Sequence, residues 1–316
     1  MGDIMTKVFI DGSQGTTGLK IRSRLNARDD IELLKIDEDM RKDIDERERM
    51  INSSDVTILC LPDEASREAV SLIRNKNVKI IDTSTAHRTE PDWAYGFPEL
   101  DTSFRDKIKN SNRIAIPGCY ASGFSAIVYP LVSRGIIAPD YPITCYAISG
   151  YTGAGKNGIA QYEFVDRNRE LDAPRQYGLT QEHKHLKEMT AIPKLSRAPF
   201  FAPHICDYRY GMVVSIPIFA DMMEKKMTLE ELQHFFANHY EGEKLIKVRD
   251  VGYSNMIGAN NFAKRDDMEI EVNGNDERLL ITTRFDNLGK GASGAAMQCL
   301  NLALGLDETK GLKVGK

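Results

Sequence analysis

In the first part of the chain, short apolar runs fall at residues 7–11, 31–36, 55–61 and 78–82, and residues 65–74 carry apolar side chains at helical spacing. A continuous apolar run marks a strand buried on both faces, the condition of a parallel sheet. Strands alternating with helices demand right-handed crossovers and wind the sheet in two directions, placing the ligand outside the strand carboxyl ends. After the helix that follows Cys119 the rhythm changes. Residues 143–149, 210–219, 268–272 and 279–285 read as strands, the last two joined by Asn273-Gly-Asn-Asp-Glu-Arg, a hairpin that implies antiparallel pairing. Residues 228–240 form an amphipathic helix that Thr228 and Glu231 open with a capping box. The predicted fold class is α/β. A Rossmann-type doubly wound parallel sheet occupies residues 1–118 and is completed by a returning C-terminal helix at 287–316. A second, α+β domain for catalysis and oligomerisation occupies 119–286.

Turns between these elements carry the candidate chemistry. The first strand runs into Gly12-Ser-Gln-Gly15-Thr-Thr-Gly18, followed by Leu19, Ile21 and Leu25 at helical spacing. Strand, glycine turn and helix in succession bring backbone N–H groups and the positive helix end against a phosphate. The spacing is G-x-x-G-x-x-G, so Gly12, Ser13, Gly15, Thr16, Thr17 and Gly18 are expected at a dinucleotide. Asp37 lies where an acidic residue holds a ribose 2′-hydroxyl, whereas Arg41 and Lys42 suit a 2′-phosphate and favour NADP over NAD. Pro62 and Ser84, at later strand ends, and Gly289 and Lys290, ahead of the closing helix, complete the expected cofactor set.

Residues 113–124 read Arg-Ile-Ala-Ile-Pro-Gly-Cys-Tyr-Ala-Ser-Gly-Phe, a short strand, a Pro-Gly turn and a helix that begins at or near Cys119. Unpaired N–H groups and the helix dipole at that point favour an anion and raise the thiolate fraction. A buried, inert thiol is the other reading of the same residue. Arg88, in the loop after the fourth strand, suits a phosphate or carboxylate. Ser149, Gly150 and Gly153, in the second glycine-rich turn, are expected to line the substrate, and Arg209 is a further candidate. His183 and His185 suit a general acid or base beside a thiol. Their spacing does not share a helical face, and no third ligand is spaced for metal, so no metal is expected.

Composition narrows the partners. Lys and Arg number 42 against 46 Asp and Glu in 316 residues, so there is no basic field for nucleic acid. A small-molecule substrate is expected, with no membrane contact, because no apolar segment reaches spanning length. The five cysteines are far apart and never spaced C-x-x-C, which suits free thiols in a reducing compartment. The N-terminus shows no targeting signal, so a cytoplasmic chain is expected.

Six stretches in order resemble one family over nearly the whole length. They are Asp11-Gly-Ser-Gln-Gly-Thr-Thr-Gly-Leu, Asp82-Thr-Ser-Thr-Ala-His-Arg-Thr, Tyr95-Gly-Phe-Pro-Glu-Leu, Pro117-Gly-Cys-Tyr-Ala-Ser-Gly, His183-Lys-His-Leu-Lys-Glu-Met and Asn287-Leu-Gly-Lys-Gly-Ala-Ser-Gly-Ala-Ala. The chain resembles the short-form N-acetyl-gamma-glutamyl-phosphate reductases of the aspartate-semialdehyde dehydrogenase superfamily. Lys187 departs from the family pattern, which usually has proline there. The resemblance implies Cys119 as nucleophile, His185 as the acid/base of the pair, and NADP against residues 12–18. It also implies reduction of an acyl phosphate to a semialdehyde through a thioester, in arginine biosynthesis. A homo-oligomer, dimer or tetramer, is expected through the second-half sheet. Without the resemblance, the residues leave open another acyl phosphate, of aspartyl or aminoadipyl type, and a non-catalytic NADP sensor.

Overall fold

The computed structural model describes residues 5–315, so the reading of the N-terminus at residues 1–4 lies outside the described residues. The chain divides into two compact units, Met1–Pro117 with Ala295–Gly311, and Gly118–Gly294 with Leu312–Lys316.

In the first unit, β1 (Thr6–Asp11), β2 (Ile31–Leu34), β3 (Val56–Leu59), β4 (Lys79–Asp82), β5 (Ala94–Tyr95) and β6 (Arg113–Ala115) pair in the order β2-β1-β3-β4-β6-β5. Every pair is parallel. All four residues of β3 are buried, as its unbroken apolar run requires. The helices here are α1 (Thr16–Leu25), α2 (Ile44–Ser53), α3 (Asp63–Ser71) and α4 (Thr102–Asn110). One core gathers Met50 and Ile51 of α2 and Ala69 of α3 onto Phe9, Leu59 and Ile80 of the sheet. The sequence pattern misses α2 and α4 because they bury so little: α4 buries only Ile108 and α2 only Arg47, Met50 and Ile51. The second strand stops at Leu34 rather than residue 36, since its pairing with β1 ends at Phe9↔Leu34.

In the second unit, α5 (Cys119–Ser133), β7 (Thr144–Gly150), α6 (Gly155–Glu163), β8 (Arg175–Gln176), α7 (Leu186–Ala191), β9 (Phe200–Cys206) and β10 (Met212–Phe219) come first. They are followed by α8 (Leu229–His239), β11 (Ile246–Val248), β12 (Met268–Gly274) and β13 (Arg278–Phe285). Among the described residues the strands form a seven-stranded mixed sheet, β11-β12-β13-β10-β7-β9-β8, and the β12–β13 hairpin is antiparallel as the sequence predicts. Thr228 and Glu231 close both bonds of the capping box on α8. The strand pattern misses β9, whose Pro203 argues against a ladder position. Helix α5 is buried nearly throughout and packs on β10 and β13. The opposite sheet face leaves Tyr146, Phe200, Phe219 and Leu280 exposed.

A π-helical turn, Gly289–Ser293, leads into α9 (Gly294–Ala303). Residues 287–294, expected with the first domain, belong to the second unit. The Asp286 carboxylate ties them there by accepting the Leu288 and Gly289 N–H groups at 2.8 and 2.7 Å. Residues 295–311 do return to the first unit, where Arg28 donates to Asn301 at 2.6 Å and Arg105 meets Glu308 at 2.7 Å.

Candidate active site

The glycine turn is shaped by what surrounds it. Gly12 has φ +84° and lies so close to the Cys60 carbonyl that a Cβ would sit 2.4 Å from the oxygen. Gly18 presses equally on the turn, 2.6 Å from the Gly12 oxygen by the same measure. At the head of α1 the Thr16 hydroxyl oxygen is buried with no hydrogen-bond partner among the described residues. Such an orphaned group at a helix N-terminus, in a turn stripped of side chains, fits a phosphate of a dinucleotide. Behind the turn, Asp11 and Arg47 form a buried ion pair at 3.0 Å. Burial pushes the Asp11 carboxyl up and Arg47 opposes that shift.

Where β2 parts from β1, a cavity of about 390 Å³ opens, lined by Ser13, Gln14, Arg22, Leu34, Lys35 and Glu38 among others. Arg41 and Lys42 do not line it and stand exposed before α2. The basic residues at the cavity are Arg22 and Lys35, which the sequence reading missed. Lys35, directly after the second strand, was the signal available. Pro62 is exposed and precedes α3. Ser84 is buried and donates its hydroxyl to Asp82 at 2.7 Å. Asp82 also meets His87 Nδ1 at 2.6 Å, and the His87 ring stacks on Trp93. Arg88, expected in a surface loop, is buried: its Nε donates to the Ile116 carbonyl at 2.8 Å and an Nη to Thr83 at 3.1 Å.

In the second unit Cys119 is the first residue of α5 and is partly exposed. Gly118 is the N-cap and brings no side chain to the helix end. Next along, Tyr120 donates its hydroxyl to the His204 carbonyl at 3.2 Å. Its ring stands 6.0 Å from both His183 and His185. Burial raises the Tyr120 and Tyr177 hydroxyls, keeping both protonated and able to donate. The His185 N–H donates to His183 Nδ1 at 3.1 Å, so neutral His183 carries its proton on Nε2. His185 itself is buried. Of the other thiols, burial pushes Cys60 up to about 12 and also raises Cys145 and Cys206.

The π-helical turn lies against the cysteine. A Cβ on Gly291 would come 2.9 Å from the Cys119 Cβ. Gly289 and Lys290, expected at the cofactor, belong to this same π-helical turn in the second unit, and Lys290 is buried. Asn287 links this turn to the second glycine turn by donating to Thr152 Oγ1 at 2.9 Å and accepting the Gly211 N–H at 2.9 Å. Gly153 fits between Ser149 Oγ and Asn287, and Ser149 and Gly150 end β7 at the same place. Gly291 and Asn287 were absent from the sequence-based site set, because only folding brings residue 291 onto residue 119. Arg209 is placed elsewhere: its guanidinium meets Glu163 at 2.9 Å and stays half exposed, and only its carbonyl serves the turn by accepting from Thr152. Among the described residues no group of three or more His, Cys, Asp or Glu side chains is arranged to hold a metal ion. No helix among them is long and apolar enough to cross a membrane.

Two family profiles divide the chain much as the structure does. Residues 6–111 match the semialdehyde dehydrogenase NAD binding domain, and residues 119–287 match the semialdehyde dehydrogenase dimerisation domain. An N-acetyl-gamma-glutamyl-phosphate reductase of Trichormus variabilis is 45% identical over 97% of this chain and 99% of its own. One from Sinorhizobium medicae is 45% identical over 94% of this chain and 98% of its own. The crystal structure of aspartate semialdehyde dehydrogenase II from Vibrio cholerae, complexed with ASA, shares the fold. Its TM-score is 0.70, at 15% identity, over 95% of this chain and 98% of that one. With a nicotinamide-type nucleotide domain and a cysteine heading the first helix of the next, this chain belongs to the N-acetyl-gamma-glutamyl-phosphate reductase family of semialdehyde dehydrogenases.

Proposed function

We propose that this protein reduces N-acetyl-gamma-glutamyl phosphate to N-acetylglutamate semialdehyde and phosphate, with NADPH, as a cytoplasmic step of arginine biosynthesis. The observation that carries this reading is the near-full-length 45% identity to reductases named for that reaction, joined to the partly exposed Cys119 at the head of α5. The Cys119 thiolate attacks the acyl carbon and the phosphate leaves with the electron pair of the broken C–O bond, giving a thioester. The N–H groups of the first turn of α5 stabilise the oxyanion, each such donor being worth about 3 kcal/mol in related sites. NADPH, when bound, supplies the hydride that a thioester accepts far better than a carboxylate. His185 protonates the resulting oxygen or, in reverse, removes its proton, and His183 is the alternative at the same place. Collapse of the thiohemiacetal frees the aldehyde and the thiol. Arg88, Ser149, Gly150 and Gly153 are assigned to the anionic ends of the substrate.

The turn at residues 12–18, with Pro62 and Ser84, is assigned to the cofactor. Preference for NADP is supported by the basic side chains of Arg22 and Lys35 at the cavity and of Arg41 and Lys42 beyond it. A homo-oligomer, dimer or tetramer, is supported by the open apolar sheet face and by the dimerisation domain named in the matching profile.

The test is NADPH oxidation given N-acetylglutamyl phosphate, aspartyl phosphate or neither, with Cys119→Ser alongside. Turnover is expected on the first only, falling at least about a thousandfold in the variant. Turnover on aspartyl phosphate instead would overturn the substrate and keep the chemistry.

A further inference from the structure

A cavity of about 530 Å³ in the second unit is lined by the end of α6, the segment after it, the 3-10 turn at Arg169–Asp172 and Arg175 of β8. None of its lining residues belongs to the site around Cys119. Its walls combine apolar Ala160, Phe164 and Leu171 with charged Asp166, Arg167 and Arg175, and its volume suits a small organic ligand. The three charges are satisfied very differently. Arg167 is neutralised within the fold, meeting Asp207 at 2.6 Å and Asp172 at 2.7 Å. Arg175 is half-buried, and among the described residues no carboxylate pairs with it. Its Nε and one Nη donate to the Tyr162 hydroxyl at 3.4 and 3.2 Å, and its guanidinium carbon lies 5.4 Å from the centre of that ring. A guanidinium carries five N–H donors in a rigid fork, so most of its capacity for a planar acceptor is unspent. Asp166, exposed at the same cavity, has no cationic partner among the described residues.

Opposite charges that line one cavity without pairing with each other are complementary to a ligand that carries both, joined to an apolar body. We propose that this cavity is a second binding site and that its ligand is a free α-amino acid with an apolar side chain. Arg175 takes the carboxylate through charge-assisted hydrogen bonds, and Asp166 takes the ammonium group. The ligand side chain lies against Phe164 and Leu171, removing apolar surface of the largely exposed Phe164 from water. Gln161 adds an amide at the same wall. The tyrosine ring under Arg175 holds the guanidinium in place before the ligand arrives, which lowers the cost of ordering it.

The test is isothermal titration calorimetry of the full chain with probes of one skeleton. These are L-phenylalanine, hydrocinnamate, which lacks the ammonium group, and phenethylamine, which lacks the carboxylate. L-Phenylalanine is expected to bind with a dissociation constant below about 10 mM, and at least about tenfold more tightly than either of the others. Arg175→Leu should weaken L-phenylalanine at least about tenfold. Asp166→Asn should also weaken L-phenylalanine, while leaving the weaker binding of hydrocinnamate unchanged. No heat from L-phenylalanine up to about 10 mM would overturn the proposal, as when a second copy of the chain fills the cavity. A smaller preference over the singly charged probes would overturn it too, as would binding that both variants leave intact. If Arg175→Leu does not fold, the exposed Asp166→Asn decides with the probe series. Titration needs neither acyl phosphate nor turnover, so its result stands apart from the reaction assigned to Cys119.

Discussion

Gly291 has no room for a side chain, and the neighbour in the way is the Cys119 Cβ at 2.9 Å. Overpacking a tight site forces a shift of the backbone or of the neighbour and costs about 1 to 3 kcal/mol. Gly291→Ala is therefore expected to lower the melting temperature and to cut kcat about 10- to 100-fold, since a displacement of an ångström at the reacting atom has that effect. NADPH affinity measured by fluorescence titration should stay within about threefold of the parent if the damage is local to Cys119. Asn287 belongs to the same group of small determinants, fixing the Gly150 turn from the far side of the π-helical segment. Neither residue is chemically reactive, and what they contribute is a close fit.

Among the elements, the returning C-terminal segment adds charged contacts to the apolar burial of Met297, Leu300 and Leu302. Arg28 grips Asp30 through two nitrogens, and Lys310 reaches the same carboxylate at 2.9 Å. The Arg28 hydrogen bonds, with Lys310 behind them, hold the Asp30 carboxyl well below its ordinary 3.8. The folded protein therefore takes up that proton at lower pH than the unfolded chain. The stabilisation is complete above the unfolded value near 4 and is lost as pH falls through the depressed folded value. Asp30→Asn should lower the melting temperature at pH 7, and the gap to the parent should narrow as pH is taken from about 5 toward about 2. A gap constant over that range would refute the assignment. The carboxylate is partly in water, so the difference at neutral pH is expected to be small.

For the molecule as a whole, the proposed preference for NADP rests on charge and the proposed association on an apolar sheet face. Lys35 follows β2 at a cavity that also holds Arg22, and these two cations carry the proposed preference for a 2′-phosphate. Lys35→Glu is expected to reduce the preference for NADPH over NADH, measured as the ratio of kcat/KM values, by about tenfold, or about 1.4 kcal/mol. An unchanged ratio would return the role to Arg41 and Lys42. The sequence by itself determined the parallel, doubly wound sheet of the first unit, the β12–β13 hairpin, the capped helix α8 and the place of Cys119 at the start of α5. Each of these is written in neighbouring residues: an apolar run, a turn, a Thr228–Glu231 pair, a Pro-Gly step before a small-residue helix. Helices α2 and α4, which bury few side chains, and the proline-bearing β9 were not legible, because their stability comes from the partners they meet. Only the tertiary structure decided that Arg88 is buried on two carbonyls, that Arg209 turns to Glu163, that the π-helical turn meets Cys119 and that Glu188 reaches Gly118. Those contacts join residues far apart in the chain, and no local pattern of polarity encodes which distant backbone group a side chain will find.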